Sequence, residues 1–397
     1  MFSFDTLFNK SSENYISNGN YSAGLYIHIP FCIHKCGYCD FYSITDTSLH
    51  DAYVHALLQE IQLYSHCPFV FNTCYFGGGT PSVISANKLI DILSHVLHSF
   101  SFTSSAEISI EINPKTVCLD QLKSYYDAGI NRVSIGIQSF NNDNLCFLER
   151  IHQSKDGIDA IVWARKAGFH SIGIDLIYGL PNQTDKDWIN DLETALNFSP
   201  EHISCYMLSL EPGTRLFDKH QRHEMDMLSQ DQLQHLYLLT TEVLEAHGYE
   251  QYEISNFSKN KSTRCQHNLK YWSFAPYIGL GPSAHSFISN KRWWNPRNLL
   301  IYIEKLKLGQ YPIENEESLD TEAQRIEMID LRLRTREGLC LETFQTQFHE
   351  DFEKKYQTAI QTLTKHDYIK IQHGYCFLST LGRVYADSIT RMLLACE

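Results

Sequence analysis

Along the first two thirds of the chain, short β-branched or aromatic runs alternate with longer amphipathic stretches. Strands are predicted at LYIHI (25–29), TCYFGG (73–78), AEISIEI (106–112), NRVSIGI (131–137), SIGIDLIY (171–178) and HISCYMLSL (202–210). Between them, SLHDAYVHALLQEIQLY, VISANKLIDILSHVLHSF, LDQLKSYYDAG and DGIDAIVWARKAG read as helices. The last two end in the glycine that commonly closes a helix. Strand then helix, repeated six times, predicts a parallel sheet with right-handed crossovers.

Glycine and polar residues gather at the C-terminal ends of these strands: GGGTP after the second, EINP after the third, GIQSF after the fourth and DLIYGLP after the fifth. Residues of several strands converging at one end is how a barrel or partial barrel builds its site. An open doubly wound sheet is the alternative. The fold class expected is α/β, a partial (β/α)6 TIM-like barrel.

The rhythm changes near residue 256. NFSKNKSTRCQHNLKYWSFAPYIGLGPSAHSF is aromatic and loop-rich without clear periodicity, and from about 298 the chain reads mostly helical. It closes on a helix-hairpin-helix pattern that suits a winged-helix-like unit. Three units are expected: a polar segment 1–22, a core domain 23–255 and a C-terminal domain 256–397.

A formal net charge of -13 argues against a broad phosphate-binding surface, so no nucleic-acid partner is expected, and the C-terminal unit reads as a packing module. The first residues lack a basic start followed by an apolar run, and no uncharged stretch is long enough to cross a bilayer. The expectation is a cytoplasmic protein without stable membrane insertion. In that compartment the 12 cysteines are not expected to form a disulfide framework. Nine are scattered singly, and only Cys32, Cys36 and Cys39 form a group.

Their spacing, CxxxCxxC on a loop directly after a strand, lets three thiolates converge on one inorganic centre. Structural zinc would need a fourth ligand, usually from another Cys or His pair. No second cysteine pair exists, and His34, inside the loop, would have to double back. A [4Fe-4S] cluster is normally held by four cysteines, so three leave one iron open to a ligand from outside the protein.

This spacing, with Tyr38 before the third cysteine, resembles the signature of the radical S-adenosylmethionine (SAM) family. The resemblance implies a [4Fe-4S] cluster on the three cysteines and SAM chelating the open iron. GGGTP then places Gly78, Gly79 and Thr80 where backbone approaches the cofactor closely. Glu111 and Asp175 are carboxylates suited to ribose hydroxyls or an amino group. Gln138 offers an amide, and Arg150 a guanidinium matched to a carboxylate in two-point fashion. Tyr26, six residues before Cys32, fits a family position that borders the cofactor. His28 reads either that way or as a satisfied strand histidine.

The strings YIHIPFC, GGGTPS, EINP, SIGIQSF and DLIYGLP together resemble the branch of oxygen-independent coproporphyrinogen III dehydrogenases and their relatives, from about residue 24 to the C-terminus. In the dehydrogenases a further cysteine follows the third by two residues, and a longer N-terminal segment helps to cover the substrate. Here Phe41 stands in that place and the N-terminal segment is short. HNLKYW (267–272) looks instead like the HNxxYW element of the haem-chaperone (HemW-like) subgroup. That resemblance implies haem as a further ligand, with His267 as an axial iron ligand and Asn268, Tyr271 and Trp272 beside the porphyrin. A loop whose aromatics pack under the barrel is the structural alternative. The function expected is binding haem and a [4Fe-4S] cluster and delivering haem to apoproteins. The alternative is oxidative decarboxylation of coproporphyrinogen III by a SAM-derived radical. An electron donor is an expected partner, and a homodimer is left open.

Overall fold

The computed structural model describes residues 22–395. The polar segment expected before Ala23, apart from Ser22, lies outside the described residues, as does Cys396. Six parallel strands come in chain order: β1 (Ala23–Ile29), β2 (Val70–Gly78), β3 (Ser101–Ile112), β4 (Arg132–Gln138), β5 (Ser171–Tyr178) and β6 (His202–Met207). A helix follows each of the first five, among them His50–Leu63, Ala86–Ser99, Leu119–Asp127, Ser154–Ala167 and Asp185–Asn197. Gly129 and Gly168 both take positive φ after their helices, as the helix-closing reading requires.

Side chains alternate along much of these strands, with register shifts near Phe71 and Gly136. Ile108, Ile110 and Ile112, Val133, Ile135 and Ile137, and Ile203 with Cys205 are buried and pack with helix residues such as Leu122, Ile161 and Leu192. The intervening positions, which carry serine, glycine or charge, face the interior of the curve.

The sheet does not stop at residue 255. After β6 come β7 (Glu250–Gln251) and β8 (Asn256–Ser258), with β8 antiparallel to β6. On the far side, β9 (Tyr277–Leu280) runs parallel to β1, followed by the antiparallel strands β10 (His285–Ile288), β11 (Lys291–Trp294) and β12 (Asn315–Ser318). All twelve strands form one sheet. The expected boundary at residue 256 therefore coincides with no break in the fold. Ile278, Leu280, Ile288, Trp293 and Tyr302 belong to the same core as β1. A second core, from Met328 to Leu393, marks off the C-terminal unit, whose helices pack around the antiparallel strands Leu339–Cys340, Ile369–Gln372 and Tyr375–Leu378.

Glu60 fastens the two halves of the main sheet. Fully buried on the first helix, its carboxylate accepts from Tyr302 OH (2.6 Å), Gly281 N (2.7 Å) and Asn295 Nδ2 (2.7 Å). Burial outweighs these donors and pushes its pKa up to about 7. Between the ordinary glutamate value and that one the folded chain keeps a proton that the unfolded chain releases. Its contribution is full below about pH 4.5 and is lost as pH rises through 7, on the order of 3 kcal/mol. Urea unfolding at pH 5 and 7.5 should show stability falling across this window in the wild type, and falling distinctly less in Glu60→Gln. Equal declines in both would remove Glu60 as the source.

Candidate cluster and cofactor site

β1 delivers the chain into the loop that bears the three cysteines, and the base of that loop is tied by Cys32 N to Ile44 O (3.0 Å) and Ile44 N to Pro30 O (2.7 Å). The glycine-rich end of β2 is stitched to the same place, with Gly79 N donating to Ile29 O and Thr80 N to Phe31 O, both at 2.8 Å. A Cβ on Gly79 would lie 2.7 Å from Phe31 O, and Gly78 has φ +110° with the His28 ring 2.6 Å from where a Cβ would stand. Only glycine permits this approach. From the other side, the helix Arg215–Gln221 holds the loop through Leu216 N to Gly37 O (2.9 Å). Arg215 also bonds Lys35 O and Glu149, which Lys219 reaches at 3.2 Å.

Cys32 is buried, Cys36 and Cys39 half-buried, and all three thiols are free. Thr80 Oγ1 lies 3.5 Å from Cys32 Sγ, and Arg150 Nη1 donates to Cys36 Sγ at 3.5 Å. Burial raises the Cys32 thiol pKa and lifts that of Cys39 to about 11, and neighbouring cysteines push both further in the same direction. The three thiols thus share one locale. Among the described residues no three His, Cys, Asp or Glu side chains close tightly enough for a single metal ion.

Beside the loop lies a cavity of about 540 Å³, bordered by Tyr38, Cys39, Gly78, Gly79, Thr80, Glu111, Gln138, Arg150 and Asp175. That volume suits a ligand of drug-like size. Asp175 accepts from Ser204 Oγ at 2.6 Å and from Ser134 Oγ at 3.0 Å. Glu111 accepts from Tyr75 OH at 2.8 Å. Burial raises both carboxyl pKa values, that of Glu111 to about 7, so each carboxylate gains from a cationic or hydrogen-bond-donating ligand. Gln138 takes φ +67° where β4 ends, which turns the chain at the rim. Arg150 does not wait for a carboxylate: its Nη2 donates to Gly136 O at 2.8 Å and its Nη1 to Cys36. Ser109 Oγ, Arg150 Nε and His202 Nδ1, on residues lining the cavity, are buried without hydrogen-bond partners among the described residues, and they leave polar valences for a bound cofactor.

Tyr75, Ser109, Arg132, Ser134, His202, Ser204 and Tyr206 also line the cavity and were not singled out from sequence. Their signal was the two-residue alternation itself, as in R-V-S-I-G-I-Q, where every second residue is polar or small. Towards the lower end of the strands, Arg132 faces Glu107 at 3.7 Å and His202 Nε2 pairs with Tyr252 OH at 2.7 Å.

Tyr26 is half-buried and lies beside both Tyr75 and His267, at centroid distances of 6.3 and 6.1 Å, while those two rings stack on each other at 5.1 Å. It does not line the cavity. His28 is a satisfied strand histidine: Nε2 donates to Tyr42 O (2.9 Å) and Nδ1 accepts from Tyr26 OH (3.1 Å).

HNLKYW forms the short helix Gln266–Trp272. Its Asn268 borders the cavity. Its His267 departs from the expected presentation: it is buried, with Nδ1 2.8 Å from Thr73 Oγ1 and Nε2 2.9 Å from Tyr271 OH. Burial holds its pKa down to about 3. Both ring nitrogens are thus engaged, and His267 braces the helix against β2. Tyr271 packs edge-on against Tyr277 at 4.7 Å, and Trp272 is half-buried.

Comparison with known proteins places this architecture. The model of the radical SAM superfamily matches residues 26–195, and that of the HemN C-terminal domain matches 319–385. The haem chaperone HemW of Mycobacterium tuberculosis is 34% identical over 379 residues, 94% of each chain. The chain belongs to the HemW family. HemW of Bacillus subtilis is likewise 34% identical over 92% of this chain and 97% of its own, and HemW of Escherichia coli 34% over 91% and 97%. Among solved structures, coproporphyrinogen III oxidase (HemN) from Escherichia coli superposes with a TM-score of 0.81 at 22% identity, covering 94% of this chain and 90% of that one. It confirms the radical SAM type of partial barrel with a helical C-terminal part. No helix among the described residues is long and apolar enough to cross a membrane.

Proposed function

We propose that this chain is a cytoplasmic haem chaperone. It holds a [4Fe-4S] cluster on Cys32, Cys36 and Cys39, binds SAM in the adjoining cavity, and delivers haem to haem-requiring apoproteins. The observation that carries this reading is a three-thiol loop opening onto a polar cavity, in a chain 34% identical to HemW proteins over 94% of its length. When bound, the cluster supplies an electron and SAM a cleavable sulfonium. The chain's own residues position them. Gly78 and Gly79 remove side-chain bulk at the loop, and Thr80 packs on the Cys32 sulfur. Arg150 places a fixed positive charge against Cys36, and Tyr38 borders the same space. Asp175, Glu111 and Gln138 face the cavity as acceptors for ribose hydroxyls or an amino group, while Tyr26 supports β1 behind them. An electron donor completes the partners in this reading.

The competing activity is coproporphyrinogen III decarboxylation. Phe41, 66% exposed at the cavity rim, stands where the dehydrogenases carry their further cysteine. Anaerobically reconstituted, reduced protein incubated with SAM and either haem or coproporphyrinogen III separates the two. Haem retained through a desalting column and passed to an apoprotein, with no porphyrinogen turnover, is the expected result. Protoporphyrinogen formation would make the chain a dehydrogenase and overturn the proposal.

A further inference from the structure

The concave face that lines the cavity continues beyond β1. Across β9 and the β10–β11 hairpin it carries Tyr277, Phe287, His285, Arg292 and Trp294, because the register pairs His285 with Trp294 and Phe287 with Arg292. Histidines facing the interior are sealed elsewhere on this surface. His28 is held by Tyr26 and Tyr42, His267 by Thr73 and Tyr271, and His202 by Tyr252 on one nitrogen.

His285 differs from all three. It is exposed, its ring lies flat against the Trp294 indole at a centroid distance of 5.5 Å and an angle of 22°, and neither ring nitrogen bonds a described residue. Its backbone is fixed from below, since a Cβ on Gly279 would meet His285 O at 2.2 Å. Residual burial and the charge of Arg292 hold its pKa below the ordinary value, against the opposing pull of Glu317, so the imidazole keeps a lone pair at neutral pH.

We propose that His285 is the axial ligand through which this chain holds haem iron, on a ledge formed with Trp294 and Arg297. The proposal rests on the haem-carrying reading above and assigns it a different residue from the HNxxYW histidine. A flat aromatic fixes the ring plane of the ligand and adds apolar surface for the porphyrin. Arg297, exposed and joined to the cysteine loop through Asp40 O at 2.9 Å and the Asp40 carboxylate at 3.7 Å, supplies a guanidinium with further donors suited to a propionate carboxylate. Arg297 follows the last residue of β11, Trp294, by three positions, which keeps it close to the ledge. Exposed apolar side chains stand near it: Phe41, which follows its partner Asp40, is 66% exposed, and Leu300, three residues on in the chain, is 62% exposed.

The test is a haemin titration of the full chain, wild type against His285→Ala and His267→Ala, following the Soret band and the spin state of the iron. His285→Ala should lose the histidine-ligated spectrum and bind about tenfold or more weakly. Free imidazole added to that variant should restore the wild-type spectrum, which a folding defect would not allow. His267→Ala should keep the wild-type spectrum. A wild-type spectrum and affinity in His285→Ala, or loss of histidine ligation in His267→Ala alone, would overturn the assignment while leaving the haem-carrying reading intact. A wild type that retains no haemin would overturn both.

Discussion

Anaerobic reconstitution of a Cys32→Ala, Cys36→Ala, Cys39→Ala variant should yield protein with essentially no cluster iron, no acid-labile sulfide and none of the visible charge-transfer absorbance of the wild type. The loop has no reserve ligand. His34, its only histidine, is hydrogen-bonded by Arg215 at 3.2 Å and lies 3.9 Å from Glu149, facing away into that ionic cluster. Folding should survive. Cys36 and Cys39 are half-buried, and the loop keeps its backbone ties to Ile44, Gly37 and β1, so a loss of about 1–2 kcal/mol is expected, mainly from Cys32. The same variant should keep much of its haem affinity, because the β10–β11 ledge uses none of the three thiols. Iron and sulfide assays check the first expectation and a haemin titration the second. Full iron retention would disprove the ligand assignment, and complete loss of haem binding would contradict separate sites.

The largest effect on stability is expected from Glu60→Ala. Truncation leaves Tyr302 OH and Gly281 N without their acceptor, while Asn295 Nδ2 keeps only its bond to Gly281 O at 2.8 Å, and each orphaned donor costs about 1–3 kcal/mol. With the cavity added, the loss should reach about 4 kcal/mol or more, a large fraction of the stability of a typical domain. Urea unfolding measures it directly. Hydrogen exchange should show amides of residues 277–295 opening first, since this carboxylate pins that segment to the first helix. A loss below about 1 kcal/mol would mean that the three donors find other partners and that Glu60 is no fastening. Glu60→Gln, which keeps an acceptor, should be far milder.

Both variants concern features of unequal visibility in the sequence. The cysteine loop could be read at once, as could the six core strands and the polar strand ends, because local spacing alone determines them. Asp175 and Glu111 stood out as charges in apolar runs, and both proved to line the cavity. Ser109, Ser134, Ser204 and Arg132 were equally readable from alternation, yet serine in a strand draws no attention until the interior face is known to be polar. The strands at 277–294 were invisible for another reason. Each is four residues long, too short for a period, and their pairing is decided by β1, far away in sequence. Glu60 looked like one more polar position on an amphipathic helix, and its partners lie more than 200 residues downstream. His267 was marked by the resemblance of HNLKYW to the HNxxYW element, whereas its contact with Thr73, 194 positions away, could not be read from local sequence.

The parallel pairing of β1 with β9 also governs how the chain is made. β1 leaves the ribosome ahead of both its partners, and β2 covers one of its edges soon afterwards. Its other partner, Tyr277–Leu280, follows about 250 residues later. At roughly 5–20 residues per second the bare edge must wait on the order of 10–50 s, exposed to pairing with neighbouring nascent chains. Closure of the sheet is therefore a late, long-range event in biosynthesis. A gene cut after residue 255 would make that temporary exposure permanent, so the barrel half should be obtainable in soluble form only when β9 is supplied with it.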